Sequence, residues 1–232
     1  MQPYTPIFIP GLLCNELLFA KQRAALPQKS QIFDTSRHGS ITEMAKAALN
    51  ECEGLLVPIG LSMGGYVALE IARIAPDRVA GMALLSTNAR EDSEGSRMQR
   101  LQAIELAKYN GFQGVTRHLM PRLLSKTALA DDSLVNDVLA MAADIGRLGF
   151  VKQQTAILGR RDQADTLVDF TAPLLVLCGT QDVLTPPPLS AEMANLATDS
   201  ALCLLDNVGH LSSLEAPEAV TAALQELFKR IG

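Results

Sequence analysis

Short apolar segments rich in branched side chains alternate with helical patterns along most of this chain, and this alternation limits the possible folds more than any other feature. Six segments are predicted as strands, the second and the last less strongly: residues 5–10, 31–34, 54–60, 79–86, 173–179 and 201–206. The intervening pattern predicts helices at residues 41–48, 66–74 and 217–229. Such alternation is typical of an α/β fold, a mostly parallel sheet with helices on both faces.

One long segment interrupts the alternation. Between residues 91 and 170 the sequence shows only amphipathic helical pattern and no convincing strand. An all-helical insert between two strands is best explained as a cap over the sheet. We therefore expect a core formed by residues 1–90 and 171–232, with residues 91–170 inserted in it as a helical cap.

The composition excludes several classes of function. Twenty Lys and Arg residues against 25 Asp and Glu residues give a net charge of −5. The sequence has no cluster of Lys and Arg that could neutralise phosphate groups, so nucleic-acid binding is not expected. No apolar run approaches the roughly 18 residues of a membrane span. No basic residue precedes Lys21, which argues against a signal peptide. The four cysteines lack metal-site spacing, and we expect them to be buried thiols in a cytoplasmic protein.

A Gly-x-Ser-x-Gly motif lies between a predicted strand and a predicted helix. The motif runs from Gly60 through Ser62 to Gly64, with Gly65 after it. A serine in such a strand-to-helix turn is the nucleophile elbow of serine hydrolases. Glycines permit the tight turn, and the free N–H groups of the following helix point toward the reacting centre. The alternative is a glycine-rich turn that serves packing alone.

With this motif in its context, the chain resembles the α/β-hydrolase fold superfamily, and within it serine hydrolases of the BioH, enol-lactonase and carboxylesterase type. The resemblance extends over nearly the whole length. It implies a catalytic triad in the chain order Ser, acid, His, and an oxyanion hole at an earlier strand end. The first predicted strand lies almost at the first residue, so the superfamily's first antiparallel hairpin is expected to be missing.

His210 is the candidate base. It follows the last predicted strand and, with Glu215 and Pro217, resembles the superfamily's G-H-x4-E-x-P signature. The alternative is a structural loop histidine. His38 lies in a loop that matches the superfamily only in part, and we interpret it as a rim or structural residue. His118 lies on a cap helix and is a candidate substrate-binding residue.

Two aspartates are candidates for the acid that orients the imidazole. Asp182 follows the strand at 173–179 in an arrangement that resembles the superfamily's G-x-x-D-x-x-x-P pattern, with Gly179 before it and Pro186 after it. Asp206 is the rival, four residues before His210. We favour Asp182, because Asp206 is better explained as a turn residue that ends a strand.

The resemblance implies two backbone donors for the oxyanion hole. One is the N–H of Met63, directly after the nucleophile, and the other is the N–H of Leu12. At the second site this sequence has Pro10 where the superfamily usually has His, while Gly11 is kept. A backbone donor does not depend on that side chain, so the assignment stands.

The expected reaction is hydrolysis of carboxylic esters of small to medium acyl groups by Ser62, His210 and Asp182 through an acyl-enzyme. No metal or organic cofactor is expected. The chain has no Trp and 4% aromatic residues, which predicts an aliphatic pocket that includes Leu13 and Leu211. Two alternatives remain open: a lactonase or C–C bond hydrolase with the same triad, and a low-turnover ligand receptor on this fold.

Overall fold

The computed structural model describes residues 3–109 and 112–232, and a sheet of six strands forms its centre. The strands are β1 (Tyr4–Ile9), β2 (Gln31–Ile32), β3 (Leu55–Leu61), β4 (Met82–Leu85), β5 (Leu174–Gly179) and β6 (Ser200–Leu205). Their order is β2-β1-β3-β4-β5-β6, and every neighbouring pair is parallel. The α/β class and the mostly parallel sheet predicted from the alternation are confirmed, and each of the six predicted segments overlaps a strand.

Ten α-helices lie in the described residues. They are α1 (Ala20–Ala25), α2 (Ile41–Glu51), α3 (Met63–Ile74), α4 (Glu94–Lys108), α5 (Met120–Leu123), α6 (Asp132–Leu158), α7 (Ala164–Asp169), α8 (Pro187–Leu196), α9 (Ser212–Glu215) and α10 (Pro217–Ile231). Helices α2, α3 and α10 match the three predicted ones. Helix α2 begins where the Ser40 side chain accepts the backbone N–H of Glu43, which satisfies one of the unpaired donors of the first turn.

Successive side chains of the strands point to opposite faces of the sheet, and each face has its own hydrophobic core. In β1, Ile7 and Ile9 pack into the core that also receives α2 and α3, whereas Phe8 packs into the core that receives α10. The helices thus cover both faces, as expected for a parallel sheet that is buried on both sides.

The segment between β4 and β5 contains helices α4 to α7 and, in its described part, no strand. Helix α6 is broken at Gly146, whose backbone has φ 63° and ψ −174°. The half of α6 before this break buries Val135, Val138 and Met141 in the core that receives α10. The segment is therefore packed on the sheet layer and shares its core.

No helix in the described ranges combines the length and the apolar character that a bilayer crossing requires. All four cysteines are free thiols. Cys14, Cys52 and Cys178 are buried, but Cys203 is half-buried because it lies on β6, the edge strand of the sheet. The expectation of buried thiols is wrong at that one position.

Candidate active site

Ser62 occupies the sharp turn between β3 and α3. Its backbone has φ 56° and ψ −116°, a conformation that residues other than glycine rarely adopt. The Ser62 N–H donates to the Leu85 carbonyl at 2.9 Å, and the Ser62 carbonyl accepts the Gly65 N–H at 2.9 Å and the Thr87 hydroxyl at 2.7 Å. These bonds, together with the packing of the turn, hold Ser62 in a strained backbone conformation of the kind found at active sites.

The two motif glycines lie against other backbone segments. A Cβ on Gly64 would come within 1.9 Å of the Ile9 carbonyl oxygen, and one on Gly60 within 2.2 Å of the Gly64 carbonyl oxygen. No side chain fits in either place. The turn is as tight as the motif predicts, and the end of β1 is packed directly against it.

The loop after β1 adjoins Ser62. A Cβ on Gly11 would lie 3.3 Å from the Ser62 Cβ, so the two backbones are immediate neighbours there. The N–H of Leu12, one residue further, has no acceptor among the described residues. The N–H of Met63, the first residue of α3, also has none within that part of the chain. Two backbone donors beside Ser62 are therefore unoccupied.

The next residue of this loop is fixed by the segment between β4 and β5. Leu13 has a left-handed backbone with φ 58°, and its N–H donates to Gln153 Oε1 on α6 at 3.0 Å. The Gln153 amide in turn donates to the Thr35 hydroxyl at 2.9 Å. A buried side chain of α6 thus holds the loop and leaves the Leu12 N–H free.

His210 and Asp182 are paired in the interior. His210 Nδ1 lies 2.9 Å from Asp182 Oδ2, and both residues are buried. The pairing follows from the sheet, since β5 and β6 are parallel neighbours and their following loops leave the same edge. The Gln181 N–H donates to the Val208 carbonyl at 2.8 Å and joins these loops.

The Asp182 carboxylate is held by its own turn as well. Oδ1 accepts the backbone N–H groups of Leu184 and Thr185, both at 2.9 Å, and Oδ2 accepts the Thr185 hydroxyl at 2.7 Å. Burial alone would raise the pKa of Asp182. The bond and charge of His210, with the Thr185 bonds, outweigh it and lower that pKa below its usual value. Asp182 is therefore an anion beside the imidazole.

A thiol lies beneath this carboxylate. Cys178 Sγ is 3.8 Å from Asp182 Oδ2 and 3.3 Å from the Thr185 carbonyl oxygen. Burial, reinforced by the charge of Asp182, raises the pKa of Cys178 to about 12. The side chain is thus a neutral thiol that can donate weakly to the carboxylate.

The rival acid Asp206 is exposed at the end of β6, and no hydrogen bond links it to His210 in the described structure. The signature residue Glu215 has a structural position instead. Its Oε2 accepts the N–H of Gly209 at 3.0 Å and that of Ser125 at 2.9 Å. Glu215 thereby ties the loop that carries His210 to the segment between β4 and β5.

The segment between β4 and β5 also contacts the His210 loop directly. The N–H groups of His210 and Leu211 both donate to the Leu123 carbonyl, at 3.0 and 3.2 Å. No hydrogen bond joins Ser62 Oγ to His210 within residues 3–109 and 112–232. The His–Asp pair is thus formed, whereas the Ser–His contact is not, and such contacts often tighten only when substrate binds.

The remaining predicted residues lie in different environments. Leu13 and Leu211 are buried, and Leu211 belongs to the core that receives α10. His118 is exposed in a short 3₁₀ turn, Arg117–Leu119. His38 stacks on Phe33, with 6.3 Å between ring centroids, which agrees with a structural role.

No cluster of three or more His, Cys, Asp or Glu side chains suited to a metal ion occurs in the described part of the chain. Thr185 and Gln153 were not predicted as site residues. Their contacts depend on turn geometry and on a helix distant in sequence, and no motif marks either one.

The family model of the alpha/beta hydrolase family matches residues 32–223. Among curated proteins, a putative non-heme bromoperoxidase, BpoC of Mycobacterium tuberculosis, is 29% identical over 178 residues, which are 75% of this chain and 68% of that protein. The pimeloyl-[acyl-carrier protein] methyl ester esterase of Photobacterium profundum is 26% identical over 196 residues, 82% of this chain and 77% of that protein.

Solved structures are similar over almost the full chain. A thermophilic esterase from Thermogutta terrifontis superimposes with a TM-score of 0.92 at 26% identity, covering 99% of this chain and 90% of the other. The enol-lactonase from Burkholderia xenovorans gives a TM-score of 0.83 at 20% identity and covers 99% and 92% of the two chains. The second likeness concerns the fold alone.

Proposed function

The chain belongs to the alpha/beta hydrolase family, and on that basis we propose that it is a serine hydrolase that cleaves carboxylic esters of small to medium acyl groups. The observation that carries this proposal is the buried His210–Asp182 pair, at 2.9 Å, in a chain that also has a serine in a strained strand-to-helix turn at the end of another strand of the same parallel sheet. The similarity to two esterases supports the substrate class.

In the proposed reaction, His210 Nε2 removes the Ser62 hydroxyl proton while Ser62 Oγ bonds to the ester carbonyl carbon. The carbonyl oxygen becomes an oxyanion and accepts the N–H groups of Leu12 and Met63. The tetrahedral intermediate then expels the alcohol, which takes the proton from His210. Water, activated by the same imidazole, releases the acid and regenerates Ser62.

Asp182 has an electrostatic role in this scheme. Because hydrogen bonds keep its pKa low, it stays ionised and stabilises the imidazolium that forms in each step. Its bond to Nδ1 also selects the tautomer in which Nε2 is free to act as the base.

We propose that residues 91–170 form a cap that shapes the pocket over a core of residues 1–90 and 171–232. Two contacts support this division of roles: Gln153 binds the loop that carries Leu12, and the Leu123 carbonyl binds the loop that carries His210. Leu13, Leu211 and His118 are our candidates for contact with the acyl or alcohol group.

The expected substrate is a small molecule. Lactone opening and C–C bond cleavage use the same triad, and a substrate panel separates these activities from ester hydrolysis. A cytoplasmic setting remains part of the proposal, supported by four cysteines that are all unpaired.

A fluorophosphonate probe tests the nucleophile. We expect one label on Ser62, and we expect Ser62→Ala to lose both the label and the activity against p-nitrophenyl acetate and butyrate. The same two proteins are then compared on esters, lactones and thioesters of equal chain length. A label on another residue, or an active Ser62→Ala protein, would contradict the mechanism.

A further inference from the structure

A cavity of about 310 Å³ lies beside α3, and neither Ser62, His210 nor Asp182 lines it. Four segments bound it: the start of α2, the first turns of α3, the loop after β4, and residues 159–163 between α6 and α7. The volume is in the lower range of small-molecule pockets. What the cavity can bind depends on which polar groups in its wall still lack partners.

The acidic residue in the wall, Glu70, has no hydrogen-bonding capacity left for a ligand. Its side chain is 2% exposed, and its two oxygens accept Thr42 Oγ1 and Gln163 Nε2, both at 2.6 Å, and Arg73 Nε and Nη2 at 2.8 and 2.7 Å. A carboxylate has about four acceptor sites, and all four are used here. Arg73 also balances its charge.

Two uncharged donors in the wall have no partner. Tyr66 is only 7% exposed, lines the cavity, and its hydroxyl makes no hydrogen bond among the described residues. Asn88 accepts the Arg90 N–H through Oδ1, but its amide nitrogen donates to no group in that same part of the chain. Although the Tyr66 ring is buried, its hydroxyl is open to the cavity, so it remains available to a ligand.

Two consecutive arginines complete the wall. Arg160 is held over the Tyr66 ring at 4.4 Å and pairs with Asp92 at 2.8 Å, while its Nη2 has no acceptor in residues 3–109 and 112–232. Arg161 lines the cavity and forms no ion pair or hydrogen bond within those residues. The unpaired charge of the wall is therefore positive, and every one of these unpartnered groups is a donor.

We propose that this cavity binds a small organic acid through its carboxylate, with Arg161 as the counter-ion and Tyr66, Asn88 and Arg160 Nη2 as donors. A carboxylate accepts hydrogen bonds and cannot donate them, and each free group of the wall can donate, the two arginines being donors alone. The carboxylate belongs either to a separate ligand or to the far end of an ester substrate, and only the second case rests on the proposed function.

The position of the cavity makes both sources testable. Tyr66 follows Ser62 by four residues on the same helix, which is about 6 Å along its axis. Asn88 follows Thr87, whose hydroxyl binds the Ser62 carbonyl. The cavity wall thus includes the helical turn that directly follows the proposed nucleophile.

Binding is measured by titration calorimetry with succinate on full-length Ser62→Ala protein, so that the result does not depend on hydrolysis. We expect saturable binding that Arg161→Gln weakens about tenfold or more, the effect of losing a charged hydrogen-bond partner. Tyr66→Phe keeps the ring and should weaken binding severalfold. Arg122→Gln, an exposed arginine outside the cavity wall, is the matched control and should change nothing.

A second comparison, in the Ser62 protein, identifies the source of the carboxylate. If it is the substrate's own end, monoethyl succinate has a higher kcat/KM than ethyl butyrate, and Arg161→Gln removes that preference. If it is a separate ligand, succinate binds with the same dependence on Arg161 but the two esters respond alike to the substitution. Absence of saturable succinate binding, or binding that neither Arg161→Gln nor Tyr66→Phe weakens, would overturn the proposal.

Discussion

Asp182 and Asp206 differ in what surrounds their carboxylates. Asp182 is buried and hydrogen-bonded to His210, whereas Asp206 is exposed and forms no hydrogen bond with His210 in the described residues. Asparagine at position 182 keeps the shape but removes the charge, which leaves the imidazole in the wrong tautomer. In serine hydrolases with a triad this change lowers kcat by about 10⁴. We expect a loss of that order for Asp182→Asn.

Asp206→Asn is the matched control and should cost less than about tenfold, or ~1.4 kcal/mol of barrier. Both proteins are assayed with the same activated ester, and circular dichroism checks that each is folded. A larger loss at position 206 than at position 182 would move the acid to Asp206.

In the proposed mechanism, Thr185 is a positioning residue. Its hydroxyl donates to Asp182 Oδ2 at 2.7 Å and lies 3.3 Å from His210 Nδ1. Thr185→Val keeps the shape of the side chain but removes that donor. A hydrogen bond to a charged group contributes roughly 1.5–3 kcal/mol, so we expect kcat to fall about tenfold or more with KM nearly unchanged.

Thr185→Ser restores the hydroxyl and should recover most of the activity of the unsubstituted protein. Steady-state kinetics of the two variants separate loss of the hydrogen bond from loss of packing. If Thr185→Ser is as impaired as Thr185→Val, the hydroxyl has no role in orienting the acid.

The sequence was sufficient to predict that Ser62 and His210 each follow a strand, because each has a motif next to a strand-like segment, and the structure has both residues after strands. It also favoured Asp182 over Asp206, and the structure pairs Asp182 with His210. It did not indicate Gln153, whose bond to the Leu13 N–H joins residues 140 positions apart. Periodicity reports local geometry only, so a contact between a distant helix and a loop leaves no pattern.

At the scale of secondary structure, the break in α6 is a point where the backbone conformation requires glycine. Gly146 has φ 63° and ψ −174°, a region almost restricted to glycine. A Cβ there would meet nothing within 4 Å, so the expected penalty for Gly146→Ala is backbone strain alone. We expect a loss of about 1–3 kcal/mol in the free energy of unfolding.

Gly95→Ala provides the control, because Gly95 lies in the first turn of α4 and a Cβ there also meets nothing within 4 Å. With ordinary helical geometry, alanine should be neutral or stabilising by up to about 1 kcal/mol. Urea denaturation of both variants gives the comparison. Equal effects of the two substitutions would show that the break does not depend on glycine.

The limits of α6 follow from its sequence only in part. The apolar face from Leu134 to Ile145 predicts the half before the break, and the pattern ends one residue before Gly146. The second half continues to Leu158 and buries Gln153 and Gln154, polar residues that a hydrophobic pattern does not assign to the interior. β2 is also shorter than predicted, with two residues where four were expected.

At the scale of the whole molecule, the parallel sheet brings the site together. Ser62 follows β3, Asp182 follows β5, His210 follows β6 and Leu12 follows β1. Parallel strands release their following loops at one edge, where open α/β sheets bind their ligands. Alternation in the sequence predicts such a sheet but not the order of its strands, since that order depends on how the helices pack.

The buried carboxylate of Glu70 makes stability depend on pH. Burial alone would raise the pKa of Glu70, but its bonds from Arg73, Thr42 and Gln163 hold that pKa below its usual value. A carboxyl whose pKa is lowered by folding stabilises the protein above its unfolded pKa, and this contribution is lost as pH falls through the folded value. Asp34 and Asp182 act in the same direction.

We therefore expect Glu70→Gln to lower the free energy of unfolding at pH 7 by about 1–3 kcal/mol, the scale of hydrogen bonds to a buried charge. The difference should shrink as pH falls below the usual range of carboxyl pKa values, because the unsubstituted protein then loses the same contribution. Urea denaturation of both proteins at several pH values between 7 and 3 measures this difference in the free energy of unfolding.

Glu91→Gln serves as the reference for a carboxylate without such contacts. Glu91 is exposed, so its replacement should change the free energy of unfolding by no more than about 0.5 kcal/mol at any pH. A deficit in Glu70→Gln that stays constant from pH 7 to pH 3 would mean that its cost comes from packing. In that case the charge of Glu70 would not stabilise the fold, and the acid sensitivity would have to come from Asp34 and Asp182.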